Sequence, residues 1–303
     1  MSEILPLSPQ ADPIAPPNRV GLLAGWGRYP IVVAEALKRA NCHVACLGIK
    51  DHADPSLAEL CDEFKWLGLA KLGGAIRFMQ THNIRHATMA GKFHKMLIYQ
   101  RLAWLKHLPD WTFLATFYPH FITGTKDRKD DTLLGAIVGA FAQEGIAFGP
   151  ATDFAPELLV KQGTLVGRDP TTKQQRDIEF GWDVAKQLGA LDVGQSVCVK
   201  DRAVLAVEAI EGTDACIRRA GEICPAGGFT VVKVAKPQQD MRFDVPTIGL
   251  WTLDTMIASG ARMLAVEAGR TILLDEEEFV RKAIRHKITV VALQFGGALR
   301  AAA

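Results

Sequence analysis

The sequence predicts an α/β protein of two domains, and three observations carry that prediction. At 303 residues the chain is long enough for two cores of ordinary size. Its first third alternates apolar strands with amphipathic helices, and a stretch rich in proline and glycine interrupts this pattern midway, at 148–156. We therefore predict a flexible N-terminal extension over 1–18, a first domain over 19–150 and a second, mixed α/β domain over 151–303.

The first domain opens with a βαβ pattern. An apolar strand over 20–24 leads into a glycine turn, an amphipathic helix runs to Ala40, and a second strand covers 43–49. A helix over 71–82 and a short strand over 86–90 continue the alternation. The aromatic and basic stretch 93–128 is predicted to be irregular, and a helix over 130–144 ends at Gly145.

The second domain shows shorter elements. We predict a helix over 173–188, then a hairpin whose strands 196–200 and 203–209 flank the turn Asp201-Arg202. Glu211-Gly-Thr-Asp214 should open a helix, and 229–235 should be a strand. A second hairpin is predicted from 263–267 and 271–274, with its turn at 268–270.

Composition excludes several classes of protein. A formal net charge of +2 gives no general attraction to nucleic acid. The six cysteines form no CxxC pair, so we interpret them as reduced core residues of a cytoplasmic protein. The extension lacks the features of a signal peptide, and no apolar run approaches the roughly 20 residues that span a bilayer. Contact with a membrane surface stays open.

A glycine turn follows the first strand. Gly25-Trp-Gly27-Arg-Tyr-Pro30 can place backbone N–H groups and a helix N-terminus against a phosphate, although a plain tight turn is the alternative. Proline stands where a dinucleotide fingerprint has a small third residue, which weakens an NAD site. Gly91-Lys92 follows a later strand at its carboxyl end, where ligands of open α/β sheets bind.

The segment 235–249 is the most informative in the chain. It gathers Lys236, Asp240, Arg242 and Asp244 around two prolines that favour extended backbone. Such a group could hold a metal, position a water and neutralise a phosphate, and the alternative is an ordinary surface cluster of ion pairs. We refer to this segment as the 235–249 segment.

Other carboxylates stand at predicted helix starts. Asp130-Asp131 could simply cap one helix, and Thr213 or Asp214 could cap another while Glu211 points into a site. Combined with Asp240 and Asp244, these carboxylates suggest an acidic pocket. Oxygen ligands suit Mg²⁺, or Mn²⁺ as the alternative. The sequence contains no HExxH, GxSxG or Walker-type phosphate loop.

These pieces together resemble a known family. From about residue 20 to residue 293 the chain is similar to the UDP-2,3-diacylglucosamine pyrophosphatases of the LpxI type, which act in the lipid A branch of lipopolysaccharide synthesis. The similarity rests on ordered sequence blocks at 21–30, 52–55, 89–92, 129–134, 188–195, 206–214, 234–249 and 266–270.

The resemblance implies a fold and a reaction. It implies a Rossmann-like N-terminal domain that binds UDP, a C-terminal catalytic and lipid-binding domain, a mobile hinge, and substrate in the cleft between them. The implied reaction is Mg²⁺-dependent hydrolysis of UDP-2,3-diacylglucosamine to UMP and lipid X, the 1-phosphate of 2,3-diacylglucosamine. The essential aspartate of the family, placed just before Val-Pro-Thr-Ile-Gly, corresponds to Asp244.

We assign residues to roles on this basis. The predicted catalytic residues are Asp244, Asp240, Lys236 and Arg242. A metal would be held by Asp244, Asp214 and Glu211, with Asp240 and Asp131 as further carboxylates. The residues predicted to bind the UDP part are Gly25, Gly27, Arg28, Gly91, Lys92, Asp131 and Thr213.

Alternatives from other classes stay open at this point. An NAD(P)-dependent oxidoreductase would use Gly25 and Gly27 for the pyrophosphate and Asp51 for the ribose. A non-catalytic nucleotide or lipid carrier would bind the same substrate without turnover. The aromatic and basic stretch 104–121 predicts peripheral contact with the cytoplasmic face of the inner membrane, with a buried core or a subunit interface, as in a homodimer, as the alternative.

Overall fold

The computed structural model describes residues 18–68, 70–91, 109–121, 130–242 and 245–294. The chain forms two compact units, one through Pro156 and the other from Glu157. Each unit contains its own sheet, built from a contiguous part of the chain. The α/β class and the two-domain organisation predicted from the sequence are confirmed.

The first unit is built on a parallel sheet of five strands in the order β3-β2-β1-β4-β5. This is the order of the first five strands of a doubly wound sheet. In such a sheet the strands are added outward from β1 in one direction as far as β3, and β4 then begins the opposite side. Because the strands are parallel, β1 and β4 end at the same edge of the sheet. The strands are β1 (Arg19–Ala24), β2 (His43–Ile49), β3 (Glu63–Leu67), β4 (His86–Ala90) and β5 (Ala147–Phe148).

The helices in the described part of this unit are α1 (Tyr29–Arg39), α2 (Leu57–Leu60), α3 (Leu72–Thr81), α4 (Trp111–Phe121), α5 (Asp130–Gln143) and α6 (Ala151–Phe154). Pro30 occupies the first turn of α1, where its missing N–H costs no hydrogen bond. Helix α4 lies inside the stretch predicted to be irregular, so that prediction is wrong for 111–121. Asp110 explains its start, since it accepts hydrogen bonds from Phe113 N at 2.9 Å and from Gly74 N of α3 at 3.0 Å. Residues 92–108 and 122–129 lie outside the described residues.

The second unit is built on a mixed sheet of six strands in the order β6-β13-β11-β9-β7-β8. The three central strands, β13, β11 and β9, are parallel, while β6 flanks one side and the hairpin β7–β8 flanks the other, both antiparallel to their neighbours. The strands are β6 (Gly163–Val166), β7 (Ser196–Lys200), β8 (Ala203–Val207), β9 (Thr230–Lys233), β11 (Met263–Glu267) and β13 (Thr289–Leu293).

Helices cover both faces of this sheet. A short 3₁₀ turn, Pro156–Leu158, comes first, and the helices are α7 (Thr172–Ala190), α8 (Thr213–Ile223), α9 (Leu250–Ser259) and α10 (Glu276–Arg285). Trp182 of α7 packs on one face, against Val232 and Ala265. Ile217 of α8 and Leu253 of α9 pack on the other, so the central strands are buried on both sides. Thr171 starts α7 with a capping box that it shares with Gln174.

One strand pairing differs from the sequence prediction. The predicted hairpin over 263–274 is wrong, because β12 (Ile272–Leu273) pairs in parallel with β10 (Thr247–Ile248), in a separate two-stranded sheet. The preceding strand, β11, lies between β9 and β13 instead. Residues Met263 to Glu267 are all buried, which is typical of a central parallel strand and unlike the alternation of a half-exposed hairpin.

The cysteine side chains lie mostly inside the two units. Five of the six cysteines are buried and Cys224 is half-buried, and all six are free thiols. None of the helices in the described parts of the chain is long and apolar enough to cross a membrane.

Candidate active site

Two buried charged residues end neighbouring central strands of the second unit. Lys233 is the last residue of β9 and is 7% exposed, and Glu267 is the last residue of β11 and is 9% exposed. Because β9 and β11 are parallel, both side chains belong to the carboxyl edge of the sheet. Ser196 begins the antiparallel strand β7 at this edge and lies opposite Lys233.

A polar network links Lys233 to the beginning of α8. Its ammonium Nζ donates to Thr213 Oγ1 at 3.1 Å and to the Thr247 carbonyl oxygen at 3.0 Å. Thr213 Oγ1 donates in turn to Glu208 Oε1 at 3.0 Å and lies 3.3 Å from Ser196 Oγ. Lys233 therefore joins the start of α8 to β10, which belongs to the 235–249 segment.

Backbone contacts fix Glu208 in this network. Glu208 follows β8, is 8% exposed, and its N–H donates to the Ser196 carbonyl at 2.9 Å. Gly194 packs directly against the Glu208 carbonyl, and a Cβ at position 194 would collide with it. A glycine is required there because the two backbones approach so closely.

The start of α8 carries a carboxylate oxygen that lacks a partner. Asp214 Oδ1 is buried and accepts no hydrogen bond from any described residue. The N-cap of α8 is Gly212, whose φ of 83° suits glycine and whose lack of a side chain leaves the helix without a side-chain cap. A buried acceptor without a donor is uncommon, and this oxygen is open to a cation or to a donor from a ligand.

Glu267 anchors the beginning of the 235–249 segment. Its Oε2 accepts from Ala235 N at 2.8 Å and from Lys186 Nζ at 2.7 Å. Lys186 also donates to the Ala235 carbonyl at 2.9 Å. Both backbone groups of Ala235 are thus held by one partly buried ion pair, at the point where the segment leaves β9.

The predicted catalytic residues of this segment form ion pairs. Lys236 Nζ lies 2.7 Å from Asp192 Oδ1. Arg242 forms a two-point pair with Asp240, with Nε–Oδ1 and Nη2–Oδ2 distances of 2.9 and 2.6 Å. The Arg242 guanidinium lowers the pKa of the Asp240 carboxyl, so Asp240 is ionised at neutral pH. Asp244 lies outside the described residues.

The first unit presents a glycine turn at the switch between β1 and β4. Gly25 N donates to the Ala90 carbonyl at 2.8 Å, which joins the ends of the two strands. Gly91 has a φ of 93°, and a Cβ there would lie 2.8 Å from both Pro30 Cγ and the Trp26 carbonyl oxygen. Gly27, with a φ of 106°, has open space where a Cβ would point.

The helix that follows this turn, α1, begins without a side-chain cap within the part of the chain that the structure describes. Arg28, its N-cap residue, lies 3.5 Å from Glu35 in an exposed ion pair. Pro30 has no N–H, and Ile31 N and Val32 N both donate to the Arg28 carbonyl, at 3.1 and 3.2 Å, so the attraction of this position for a phosphate comes mainly from the helix dipole.

Comparison with known proteins decides the family. The model of the LpxI N-terminal domain matches residues 19–158, and the model of the LpxI C-terminal domain matches residues 161–291. The chain belongs to the LpxI family. It is 30% identical over 275 residues to the UDP-2,3-diacylglucosamine pyrophosphatase LpxI of Caulobacter vibrioides, a match that covers 88% of this chain and 94% of that protein.

The structure of this LpxI-family chain brings together part of the predicted set. Thr213 and Asp214 begin α8 and are tied through Lys233 to the end of the 235–249 segment, which also carries Lys236, Asp240 and Arg242. Glu211, a predicted metal ligand, is instead paired with Arg219 at 2.8 Å. Gly25, Gly27, Arg28 and Gly91 lie together in the first unit. Lys92 and the side chain of Asp131 lie outside the described residues.

Sequence analysis missed four polar residues of this family member: Ser196, Glu208, Lys233 and Glu267. Three of them carry a signal that is readable in the sequence. Lys233 interrupts the apolar run of β9, and the tripeptide Val-Glu-Ala recurs at 207–209 and 266–268 after an apolar strand. A charge at the end of a buried strand marks the carboxyl edge, where sites form.

Proposed function

We propose that this protein hydrolyses the pyrophosphate bond of UDP-2,3-diacylglucosamine, giving UMP and 2,3-diacylglucosamine 1-phosphate for lipid A synthesis in the cytoplasm. The observation that carries the proposal is the match of both units to the two LpxI domains, together with 30% identity to a pyrophosphatase of that name. The polar groups at the carboxyl edge of the second sheet support it.

The cations of the 235–249 segment suit the charge of a pyrophosphate. Lys236 and Arg242 stand six residues apart on a segment whose first residue is fixed by Glu267. Asp240 holds the guanidinium of Arg242 by two hydrogen bonds, which orients the rest of that group. As negative charge builds on the phosphate oxygens, fixed cations lower the energy of the transition state.

The donor set fits Mg²⁺ in part. Among the described residues no three His, Cys, Asp or Glu side chains cluster as metal ligands, but Asp214 offers a buried oxygen without a hydrogen-bond donor. Mg²⁺ commonly binds only one or two carboxylates and completes its shell with waters and substrate phosphates. Asp214 would hold the ion together with Asp244, and the ion would supply charge neutralisation and an acidified water.

The turn of the first unit is proposed to hold the uridine diphosphate part. The dipole of α1 favours an anion at its N-terminus, and Gly27 leaves open space for one beside it. Gly25, through its hydrogen bond to Ala90, and Gly91 keep the end of β4 close to this turn. Arg28 stands at the N-cap of α1, where its positive charge adds to the same field.

Turnover of the proposed substrate tests the activity. Purified protein incubated with UDP-2,3-diacylglucosamine and Mg²⁺ should release UMP, which ion-exchange chromatography detects. Asp244→Asn keeps the shape of the side chain and removes its charge, so kcat should fall by roughly 10²-fold or more with substrate affinity little changed. A folded Asp244→Asn protein with a near-normal rate would remove this residue from the catalytic role.

Chelation tests the metal. We expect EDTA to abolish release of UMP and Mg²⁺ or Mn²⁺ to restore it, because oxygen ligands prefer hard cations. Calorimetric titration with Mg²⁺ gives a second readout, in which Asp214→Asn should weaken binding while Glu211→Gln, already tied to Arg219, should not. Full activity after chelation, with no metal found by elemental analysis, contradicts the proposal.

Peripheral contact with the inner membrane is proposed for α4. Trp111, Leu114 and Tyr118 lie on one side of this helix at spacings of three and four residues, and they are 83%, 48% and 53% exposed. Exposed aromatic rings suit a membrane interface, and the diacylated substrate would lie there.

Sedimentation with anionic liposomes tests this contact. Trp111→Ser should reduce binding at low salt, whereas Trp251→Ser, which changes a tryptophan 69% exposed on α9, should leave it unchanged. Equal binding by both variants, or no binding by the unmodified protein, contradicts membrane contact through α4.

A further inference from the structure

Lys233 departs from the pattern of the strand that contains it. The other three residues of β9 are Thr230, Val231 and Val232, all buried, and Lys233 itself is 7% exposed. An ammonium group removed from water is unfavourable unless hydrogen bonds and opposite charge compensate it. Residues that break the local pattern of a core are expected at functional sites.

The contacts of Lys233 connect segments that are distant in the sequence. Thr213 begins α8 and Thr247 begins β10, and one ammonium group binds both. Through Thr213 the network extends to the buried carboxylate of Glu208. The charges at its two ends are opposite, so the hydroxyl of Thr213 is held between a donor and an acceptor in a fixed orientation.

The network also determines where two parts of the candidate site lie. Asp214, whose Oδ1 has no hydrogen-bond donor among the described residues, follows Thr213 directly. Thr247 lies near the end of the 235–249 segment, which also contains Arg242. If the ammonium were absent, the hydroxyl of the half-buried Thr213 and the Thr247 carbonyl would each lose a donor. The start of α8 could then move relative to β10, and a displacement of about 1 Å is enough to slow a reaction substantially.

We propose that Lys233 is a positioning residue for the hydrolysis, holding the start of α8 against the end of the 235–249 segment. This inference rests on the proposed function and adds to it a residue that acts through Thr213 and Thr247. It requires no contact between Lys233 and the substrate. A second lysine of the same sheet provides a matched control.

Lys200 is that control, because it resembles Lys233 without approaching the site. It ends β7, at the edge of the sheet opposite Ser196, and is half-buried. Its Nζ donates to the Gly227 carbonyl at 2.6 Å and lies 3.5 Å from Cys224 Sγ. Lys200→Met and Lys233→Met therefore both replace an ammonium that binds a backbone carbonyl, half-buried at Lys200 and buried at Lys233, at opposite edges of one sheet.

Steady-state kinetics on the full chain distinguishes the two lysines. Lys233→Met should lower kcat by roughly 10²-fold with KM changed by less than about threefold, while Lys200→Met should leave both near those of the unmodified protein. Tm, measured for both variants, identifies any loss that comes from unfolding. If Lys233→Met does not fold, Glu208→Gln replaces it, and a kcat loss of the same kind is expected because the network is then left with an uncompensated cation.

Hydrogen exchange gives a readout independent of turnover. Backbone amides of 211–215 and 246–249 should exchange faster in Lys233→Met than in Lys200→Met. Of these two lysines, Lys233 is the one that binds both segments. A double variant of Lys233→Met and Glu208→Gln should lose no more kcat than the worse single variant, as members of one network do.

Several results overturn the inference. Equal kcat in Lys233→Met and Lys200→Met would do so, and so would a raised KM with unchanged kcat, which is the behaviour of a substrate-binding group. Unchanged exchange at both segments would show that Lys233 does not couple them. If the unmodified protein releases no UMP, the proposed function fails, and the exchange experiment alone then decides whether Lys233 joins α8 to β10.

Discussion

At the scale of single residues, the ion pair between Asp240 and Arg242 predicts how the stability of the fold depends on pH. Arg242 lowers the pKa of Asp240 in the folded chain, so ionised Asp240 stabilises the fold above the usual aspartate pKa of about 3.9. This stabilisation is lost as the pH falls through the lowered folded-state value. Asp240→Asn should reduce Tm at pH 7 and have no effect at a pH below both values, as differential scanning calorimetry measures.

The size of this effect is limited by exposure. The side chains of Arg242 and Asp240 are 38% and 29% exposed, so the pair should contribute at most about 1 kcal/mol. Arg242→Met removes the other partner and should show the same loss at pH 7. A Tm difference that persists unchanged in acid would mean that Asp240 stabilises the fold through shape and not through charge.

How far the site could be predicted from sequence differs from residue to residue. Lys236, Asp240 and Arg242 could be singled out because they stand close together, Lys236 just before Pro237 and the other two between Pro237 and Pro246. The link between Lys233 and Glu208 through Thr213 could not be predicted. It depends on the antiparallel arrangement of β7, β8 and β9, which follows from sheet order and not from spacing in the sequence. The pairing of Glu211 with Arg219 was equally hidden, since it depends on the direction of α8.

At the scale of elements, Gly91 follows β4 and packs against the turn between β1 and α1, so a substitution there tests this contact. Gly91→Ala adds a Cβ at a φ of 93° and brings it 2.8 Å from Pro30 Cγ. Strain at the backbone and the collision should together destabilise the protein by about 1–3 kcal/mol and weaken binding of UDP. Urea unfolding and calorimetric titration with UDP measure the two effects.

Gly139→Ala is the matched control for this change. Gly139 lies in the interior of α5 with no heavy atom within 4 Å of an added Cβ, so alanine should stabilise the protein by about 0.5–1 kcal/mol. Equal stabilities of Gly91→Ala and Gly139→Ala would show that the turn tolerates a side chain.

Elements were predictable where local signals were strong. The βαβ opening and the hairpin of β7 and β8 follow from apolar runs separated by glycine or polar turns, and both are confirmed. The hairpin predicted at 263–274 failed because a short turn does not determine the partner of a strand when helices cover both faces of the sheet. Helix α4 was missed because its aromatic residues occupy both its buried and its exposed sides, with Phe117 buried and Trp111 and Tyr118 exposed, so no polar face marks the helix in the sequence.

At the scale of the whole molecule, each large sheet is built from one contiguous part of the chain, and this predicts that a unit can fold by itself. Among the described residues every strand pairs within its own unit, and the division falls at Pro156. A fragment of residues 157–303 should therefore fold alone. Circular dichroism during urea unfolding should show one cooperative transition, and a fragment that unfolds without cooperativity would contradict the prediction.

The two-domain organisation was predictable because a proline- and glycine-rich stretch separates two patterns of periodicity. The strand order of each sheet was not, since it depends on contacts between distant segments. In the second unit the order places β7 beside β9, although a hairpin strand and a helix separate them in the chain.

Each unit contains buried thiols whose chemical labelling reports when that unit opens. Cys42, Cys46 and Cys61 are buried in the first unit and Cys198 and Cys216 in the second, with the sulfur atoms of the last two 4.0 Å apart. Burial also raises the pKa of Cys42, which keeps its thiolate scarce. An alkylating reagent can reach these sulfurs only when their own unit opens, so mass spectrometry of the labelled peptides would time the opening of the two units separately, in one unmodified protein.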